Sequence, residues 1–176
     1  MCIRDSHVLD MCAAPGSKTT HIAALMGNRG SIDAWDVYPH KVKLIKDNAK
    51  RLGISIIHTE VRDSVKPLPF LYETYDKVLL DAPCSGLGVL GHKVELRWRR
   101  KESDLSVFPP LQKQLIEQAA KYTKTGGVLV YSTCTLNPDE NEHIINEFLS
   151  LHSEFAPEEF HFPIIGNSLN GMKTLY

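Results

Sequence analysis

"HVLDMCAAPGSKTTHIAALM", residues 7–26, is the stretch whose reading decides the fold. "HVLDM" (7–11) is a short apolar run and reads as a buried strand. "SKTTHIAALM" (17–26) changes period and reads as a helix, with Ile22, Ala23, Leu25 and Met26 as its apolar stripe. Between them, Cys12, Ala13, Ala14, Pro15 and Gly16 make a loop of small residues at the strand's carboxyl end. Strand, tight loop and helix in succession are the opening of a βαβ unit.

The same alternation continues outward. "SIDAWDV" (31–37), "SIIHTEV" (55–61), "KVLLDAP" (77–83) and "GVLVYSTC" (127–134) read as strands. "PHKVKLIKDNAKRLG" (39–53) reads as a helix with Pro39 in its first turn, Val42, Ile45, Ala49 and Leu52 on one face, and Gly53 as its stop. "PLQKQLIEQAAKYTKTGG" (110–127) reads as a helix ended by glycines, and "DENEHIINEFLSLH" (139–152) as another. Strands alternating with helices predict an α/β fold with a mostly parallel, doubly wound sheet. Ligands in such sheets bind beyond the carboxyl ends of the strands. The residues to weigh are therefore Asp10–Lys18, Asp36, Asp63, Asp81–Gly86 and Ser132–Asn137.

Composition narrows the classes. The chain has 176 residues, 43% hydrophobic and 23% charged, which suits one soluble globular domain with a sizeable core. No apolar run is long enough to span a membrane, and no signal peptide opens the chain. The net charge of −1 lacks the basic excess of a typical nucleic-acid binder, so any such reading rests on a local patch or on a domain outside this sequence. Four cysteines without CxxC spacing argue against a disulfide scaffold, a thiol redox motif and a structural zinc site, and predict a reducing, cytoplasmic setting without a metal.

Each strand end offers particular chemistry. The loop at 10–20 admits a ligand close to its backbone and to the amides of the following helix, but it is neither the P-loop nor the G-x-G-x-x-G pattern. Asp36 has the placement of an acid that binds ribose hydroxyls, and equally that of a cap for the helix at Pro39. Asp63 reads either as a contact to an adenine amino group or as a solvated loop acid. Cys84 in "LLDAPCSGLGVL" (79–90) and Cys134 in "VYSTCTLNPDENE" (130–142) each follow an apolar run and enter a small-residue loop. A lone cysteine is usually an inert small hydrophobe. Two at the ends of strands expected to be neighbours would share one pocket beside Asp81. A nucleophilic thiol then needs help, because an ordinary cysteine is only about 3% thiolate at neutral pH. Amides of the helix after Cys134 would supply that help, and Asp139 and Glu140 would oppose it. "KVELRWRRKE" (93–102) holds five basic residues and a tryptophan: Lys93, Arg97, Trp98, Arg99, Arg100 and Lys101. It reads as an RNA-contacting segment or as a solvated helix face.

Together these stretches resemble the RsmB/Nop (Sun/Fmu) family of RNA cytosine-5 methyltransferases, in particular its bacterial 16S ribosomal RNA enzymes. "DMCAAPGSKTT" resembles the family's cofactor loop, "DAPCSGLGVL" and "YSTCTLNPDENE" its two catalytic motifs in order, and "RWRRKESDL…LQKQLI" the segment between them. The resemblance covers roughly residues 7–155. It implies a Rossmann-like class I methyltransferase domain that uses S-adenosyl-L-methionine and acts as a monomer on RNA. It assigns Cys134 as the nucleophile toward C6 of cytosine and Asp81 as the contact to the base near N3. Cys84 would assist product release. Cys12, Ala13, Ala14, Pro15, Gly16, Ser17 and Lys18, with Asp36, Asp63 and Asp81, would hold the cofactor. Lys93, Arg97, Trp98, Arg99 and Arg100 would meet RNA.

The chain departs from the family pattern at Ser17, where a second glycine is common. Gly91-His92 replace basic residues, and Val94 stands where proline is common. The head "MCIRDS" (1–6) lacks an apolar pattern and is expected to be extraneous. The catalytic domain is then 7–176, truncated at both ends, with the N-terminal RNA-binding domain absent and the last sheet strand beyond Tyr176. The competing readings are a truncated, inactive cofactor- or RNA-binding fragment and a transfer RNA cytosine-5 methyltransferase. A DNA-type enzyme would instead use Cys84 as nucleophile.

Overall fold

Five apolar runs pair into one all-parallel sheet. The runs are β1 (His7–Asp10), β2 (Ser31–Asp36), β3 (Ile57–Val61), β4 (Tyr75–Asp81) and β5 (Thr123–Ser132), in the spatial order β3-β2-β1-β4-β5. The computed structural model describes residues 5–99, 101–162, 166–167 and 171–172. β1 is central: Val8 pairs with Ile32 of β2 on one side and with Lys77 of β4 on the other. The chain winds outward through β2 and β3, then returns to β4 and β5 across the other edge of β1. Right-handed crossovers therefore send the helices of the two halves to opposite faces. The switch in strand order falls between β1 and β4, where open α/β sheets bind ligands.

The helices after β1 and β2 supply the packing that fixes this geometry. α1 (Ser17–Leu25) and the following Met26 bring Ala23 and Met26 against Val8, Ile32 and Ile56. α2 (Pro39–Arg51) sets Ile45 against Ala13 and Ala34. Met26, Ile32 and Ile45 are fully buried, each contributing about 2 kcal/mol of transfer free energy. Gly16 precedes α1 at φ +96, and a β-carbon there would meet the Ile45 backbone at 3.1 Å. A side chain at this position would be both strained and crowded, so loop and helix meet closely only with glycine.

The chain divides into two units, Met1–Pro83 with Pro110–Thr133, and Cys84–Pro109 with Cys134–Tyr176. The sheet belongs to the first. α5 (Phe108–Tyr122), most of which belongs to the first unit, leads into β5 and buries Leu115, Ile116, Ala119 and Tyr122. The second holds two short helices, α3 (Leu96–Arg99) and α4 (Glu102–Leu105), then α6 (Glu142–Leu151), and an antiparallel pair, β6 (His161–Phe162) with β7 (Gly166–Asn167). In α6 the buried Phe148 stacks on His152 at 4.5 Å.

Several expectations are corrected. Leu25 is 57% exposed, and Thr19 and Thr20 take its place on the buried face of α1, where their hydroxyls find acceptors in Asp10 and in the Ser17 carbonyl. Leu52 is likewise exposed, at the C-cap of α2. The helix expected to run to Gly127 stops at Tyr122, because Thr123 already pairs with Tyr75. The two glycines lie inside β5 at a register shift, where Tyr75 and Lys77 of β4 oppose Thr123 and Val128. The helix expected from Asp139 is a 3-10 turn (Pro138–Glu140) followed by α6, interrupted at Asn141, whose side chain bonds back to the Thr135 and Asn137 carbonyls. At the end of the head, Ser6 is buried and its carbonyl accepts the Ser31 amide at 3.2 Å.

Candidate active site

In the first unit a cleft at the switch point is lined by Asp10, Cys12, Ala13, Ala14, Pro15, Ser17, Lys18 and Asp81. These are the loop after β1, the start of α1 and the end of β4. Gly16, as N-cap, brings no side-chain oxygen to the first-turn amides of α1, which leaves them for an anionic or polar ligand. The loop itself is pinned: the Ala13 amide bonds the Trp35 carbonyl at 2.8 Å, and the Asn48 side chain bonds the Pro15 carbonyl at 3.0 Å.

Asp10, one of the strand-end acids, was given no role of its own by the sequence. It is 1% exposed; Oδ2 accepts the Thr19 hydroxyl at 2.7 Å, while Oδ1 is buried with no hydrogen-bond partner among the described residues. Burial, partly offset by Thr19, pushes its pKa up to about 6. The signal was an acid closing a buried strand, which ordinary packing does not need. The Cys12 thiol is driven up to about 12 by burial and then by Asp10, Asp36 and Asp81, which disfavours its thiolate. Asp81 pairs with Lys18 and accepts the Ser132 hydroxyl at 2.7 Å across the β4–β5 ladder, where Asp81 and Ser132 are register partners.

Asp36 ends β2 and is buried; its Oδ1 accepts the Tyr38 amide at 3.0 Å. It therefore braces the turn into α2, though Tyr38 rather than Asp36 is the N-cap. Asp63 follows β3, half-buried, with Oδ1 on the Val65 amide at 3.2 Å and Lys66 at 3.7 Å.

The second unit brings the two predicted thiols together. Cys84 and Cys134 open its two chain segments, and their sulfurs are 3.1 Å apart. Cys134 is exposed and Cys84 half-buried. The Cys134 amide donates to the Cys84 sulfur at 3.2 Å. The hydrogen bond with Cys134, then burial, raises the Cys84 pKa well above the ordinary thiol range. The expected help from the helix after Cys134 takes another form. The Asp139 amide is capped by Asn137, and the nearby backbone donor serves Cys84. The two acids expected to oppose a thiolate are engaged elsewhere, Asp139 with His143 at 2.8 Å and Glu140 with the Ser85 amide at 2.8 Å.

The basic segment forms α3 and its flanks. Lys93, Arg97, Trp98 and Arg99 are exposed, Trp98 at 87%, while Arg100 lies outside the described residues. Arg97 and Lys101 border a groove formed by Leu87, Leu90, Leu96 and Leu105. Among the described residues no cluster of three or more histidines, cysteines or acids is placed to hold a metal ion, and no helix is long and apolar enough to cross a membrane.

Comparison with known proteins gives this arrangement its relatives. The family model of the 16S rRNA methyltransferase RsmB/F matches residues 3–174. The chain is 45% identical over 155 residues to the probable ribosomal RNA small subunit methyltransferase B of Bacillus subtilis, covering 88% of this chain and 35% of that protein. It is 44% identical over 147 residues to the mouse tRNA (cytosine(72)-C(5))-methyltransferase NSUN6, covering 77% of this chain and 30% of that one. The chain thus spans about a third of the length of the curated relatives it matches. The crystal structure of NSun6 from Pyrococcus horikoshii with SFG superposes with a TM-score of 0.80 at 38% identity, over 96% of this chain and 42% of that one. A SAM-dependent O-methyltransferase from Thermotoga maritima shares the fold at 17% identity and a TM-score of 0.59, over 90% of this chain and 48% of that one. The sheet is accordingly the Rossmann-like sheet of S-adenosylmethionine-dependent methyltransferases, and the chain belongs to the RsmB/F family of 16S rRNA methyltransferases.

Proposed function

We propose that the chain is the catalytic part of an RNA cytosine-5 methyltransferase that uses S-adenosylmethionine and acts on 16S ribosomal RNA through a covalent cysteine adduct. The observation that carries this reading is the thiol pair, one member exposed and the other half-buried and held protonated. In that pair Cys134 is the nucleophile: its sulfur bonds to C6 of cytosine, and the electron pair of the C5–C6 bond moves toward C5 and N3. C5 becomes electron-rich enough to take a methyl group. Afterwards the C5 proton is lost, the sulfur–C6 bond breaks, and the C5–C6 double bond re-forms. Cys84, hydrogen-bonded to that sulfur in the resting protein, assists the release. Asp81 contacts the base near N3 and stabilises the adduct.

The cofactor fits the cleft of the first unit. S-adenosylmethionine supplies a methyl group on a positively charged sulfur, beside a cationic amino group. The backbone of Cys12–Lys18 receives it, Asp36 takes the ribose hydroxyls and Asp63 the adenine. The buried, unpartnered Oδ1 of Asp10 suits a cationic ligand. A relative solved with SFG, an analogue of this cofactor, supports the assignment. Lys93, Arg97, Trp98, Arg99 and Arg100 contact RNA by charge and stacking. The protein works as a cytoplasmic monomer without a metal.

The test uses full-length protein. Cys134→Ala should abolish methyl transfer and form no adduct; Cys84→Ala should trap a protein–RNA band on a denaturing gel. The opposite pattern would assign the nucleophile to Cys84, and full turnover by both variants would end the covalent reading. A transfer RNA substrate is the second reading, favoured by the 44% identity to the mouse tRNA enzyme. Bisulfite mapping of RNA from cells with and without the gene decides between the two.

A further inference from the structure

The buried acid of the second thiol motif has no part in the chemistry just described, yet its partners tie the two thiol loops together. Glu140 is fully buried. Its Oε2 accepts the amide of Ser85, the residue after Cys84, at 2.8 Å. Its Oε1 accepts the side-chain amide of Asn137, three residues beyond Cys134, at 3.2 Å. Around it the residues next to each thiol are joined directly: the Ser85 and Thr135 hydroxyls are 2.7 Å apart. The Gly88 amide donates to the Cys134 carbonyl at 3.0 Å, and the Asn137 amide to the Thr135 hydroxyl at 3.2 Å.

We propose that Glu140 is the positioning residue of the thiol pair, a buried carboxylate that clips the Cys84 loop to the Cys134 loop and so holds the two sulfurs in contact. Its bearing on methyl transfer rests on the reading above; its bearing on geometry does not. The chemical argument is one of donors and acceptors. Two N–H groups, one from each loop, converge on one side chain, and only a group with two acceptor oxygens satisfies both. Glutamine has the same shape but turns one oxygen into an NH2, which would face the donor of Asn137 or of Ser85. A buried donor left without an acceptor favours opening of the loops. The exchange is reciprocal: aspartate at 137 offers an oxygen to the NH2 of a glutamine at 140. It also keeps the oxygen that accepts the Asp139 amide at 3.2 Å. E140Q breaks the clip, and E140Q combined with N137D rebuilds it with the polarity reversed.

The experiment measures sulfur–sulfur positioning without catalysis. Full-length protein is treated with oxidised glutathione. One cysteine thiolate attacks that disulfide, releasing one reduced glutathione and leaving a mixed disulfide; the second cysteine then displaces the other glutathione and closes the Cys84–Cys134 bond. Two thiols are oxidised, one glutathione disulfide is reduced, and the two thiol protons end on the two glutathiones released. Mass spectrometry follows the mixed disulfide and the closed form. The parent should close without accumulating the mixed species. E140Q should accumulate it and close on the order of tenfold more slowly, and the E140Q/N137D pair should return closure to near the parental rate. In parallel, kcat for RNA methylation should fall in E140Q and recover in the pair, with KM for S-adenosylmethionine unchanged. Closure of E140Q at the parental rate would overturn the proposal. So would a double variant whose melting temperature recovers while closure stays slow. If E140Q does not fold, N137A, which removes the donor from one loop and leaves the carboxylate, carries the same comparison with slower closure expected. If Cys134→Ala still methylates RNA, the functional reading fails while the closure rates still decide the clip.

Discussion

The sulfur of Cys84 lies 3.1 Å from that of Cys134 and also accepts the Cys134 amide at 3.2 Å. The thiol–thiol hydrogen bond is the largest cause of the raised Cys84 pKa, ahead of burial. Cys84 therefore keeps its proton at neutral pH, and Cys134 is the exposed member of the pair.

This asymmetry sets the order of alkylation. At about neutral pH, iodoacetamide should modify Cys134 at least ~10-fold faster than Cys84, because the thiolate is the reactive form. Cys134→Ala removes the hydrogen bond that raises Cys84 most, so alkylation of Cys84 should then speed up at the same pH. Peptide mass mapping over a time course checks both. Equal rates in the parent, or a slower Cys84 in the variant, would contradict the assigned cause.

Asp10 makes stability depend on pH. Its folded pKa of about 6 stands above the ordinary 3.8, so between those values the folded state binds more protons than the unfolded one. The group costs nothing below that window, and stability is lost as pH rises through it. The displacement corresponds to roughly 3 kcal/mol above the window. Without cofactor, Asp10→Asn should raise the melting temperature by several degrees at about pH 7.5 and by clearly less at about pH 4.5. Scanning calorimetry at both pH values tests this, and a gain independent of pH would refute the burial argument.

Asp36→Asn separates two roles of one carboxylate. Asparagine keeps an oxygen for the Tyr38 amide, now bonded at 3.0 Å, so the turn into α2 should survive. Loss of the charged acceptor should weaken S-adenosylmethionine binding by roughly ten- to a hundredfold, the effect of losing a charged hydrogen bond of about 1.5–3 kcal/mol. Titration calorimetry giving the parental affinity would sink the ribose assignment.

Ser6 gives the head a testable contribution to the fold. Deleting residues 1–4 should leave the melting temperature unchanged. Extending the deletion through Ser6 removes a buried residue and the acceptor of the Ser31 amide, and should cost about 1 kcal/mol, a few degrees. Equal melting temperatures for the two deletions would show that Ser6 adds nothing.

Sequence by itself determined the elements whose signal is local. The apolar runs at 7–11 and 31–37 and the stripe of Val42, Ile45 and Ala49 state their period within a few residues, and the parallel α/β sheet follows from their alternation. It also placed the loop of the cleft, since Cys12–Lys18 follow directly on an apolar strand. That Cys84 and Cys134 share a pocket was already expected from the sequence; tertiary structure alone decided their contact and the partners of the other polar groups. Cys84 and Cys134 are 50 residues apart in the chain, and the strands before them pair with Asp81 opposite Ser132, a register that no local pattern encodes. The inward turn of Glu140, the burial of Thr19 in place of Leu25 and the orphaned oxygen of Asp10 are of the same kind. Each depends on a partner distant in sequence, and in a packed interior the available donor or acceptor, rather than residue type, chooses which side chain is buried.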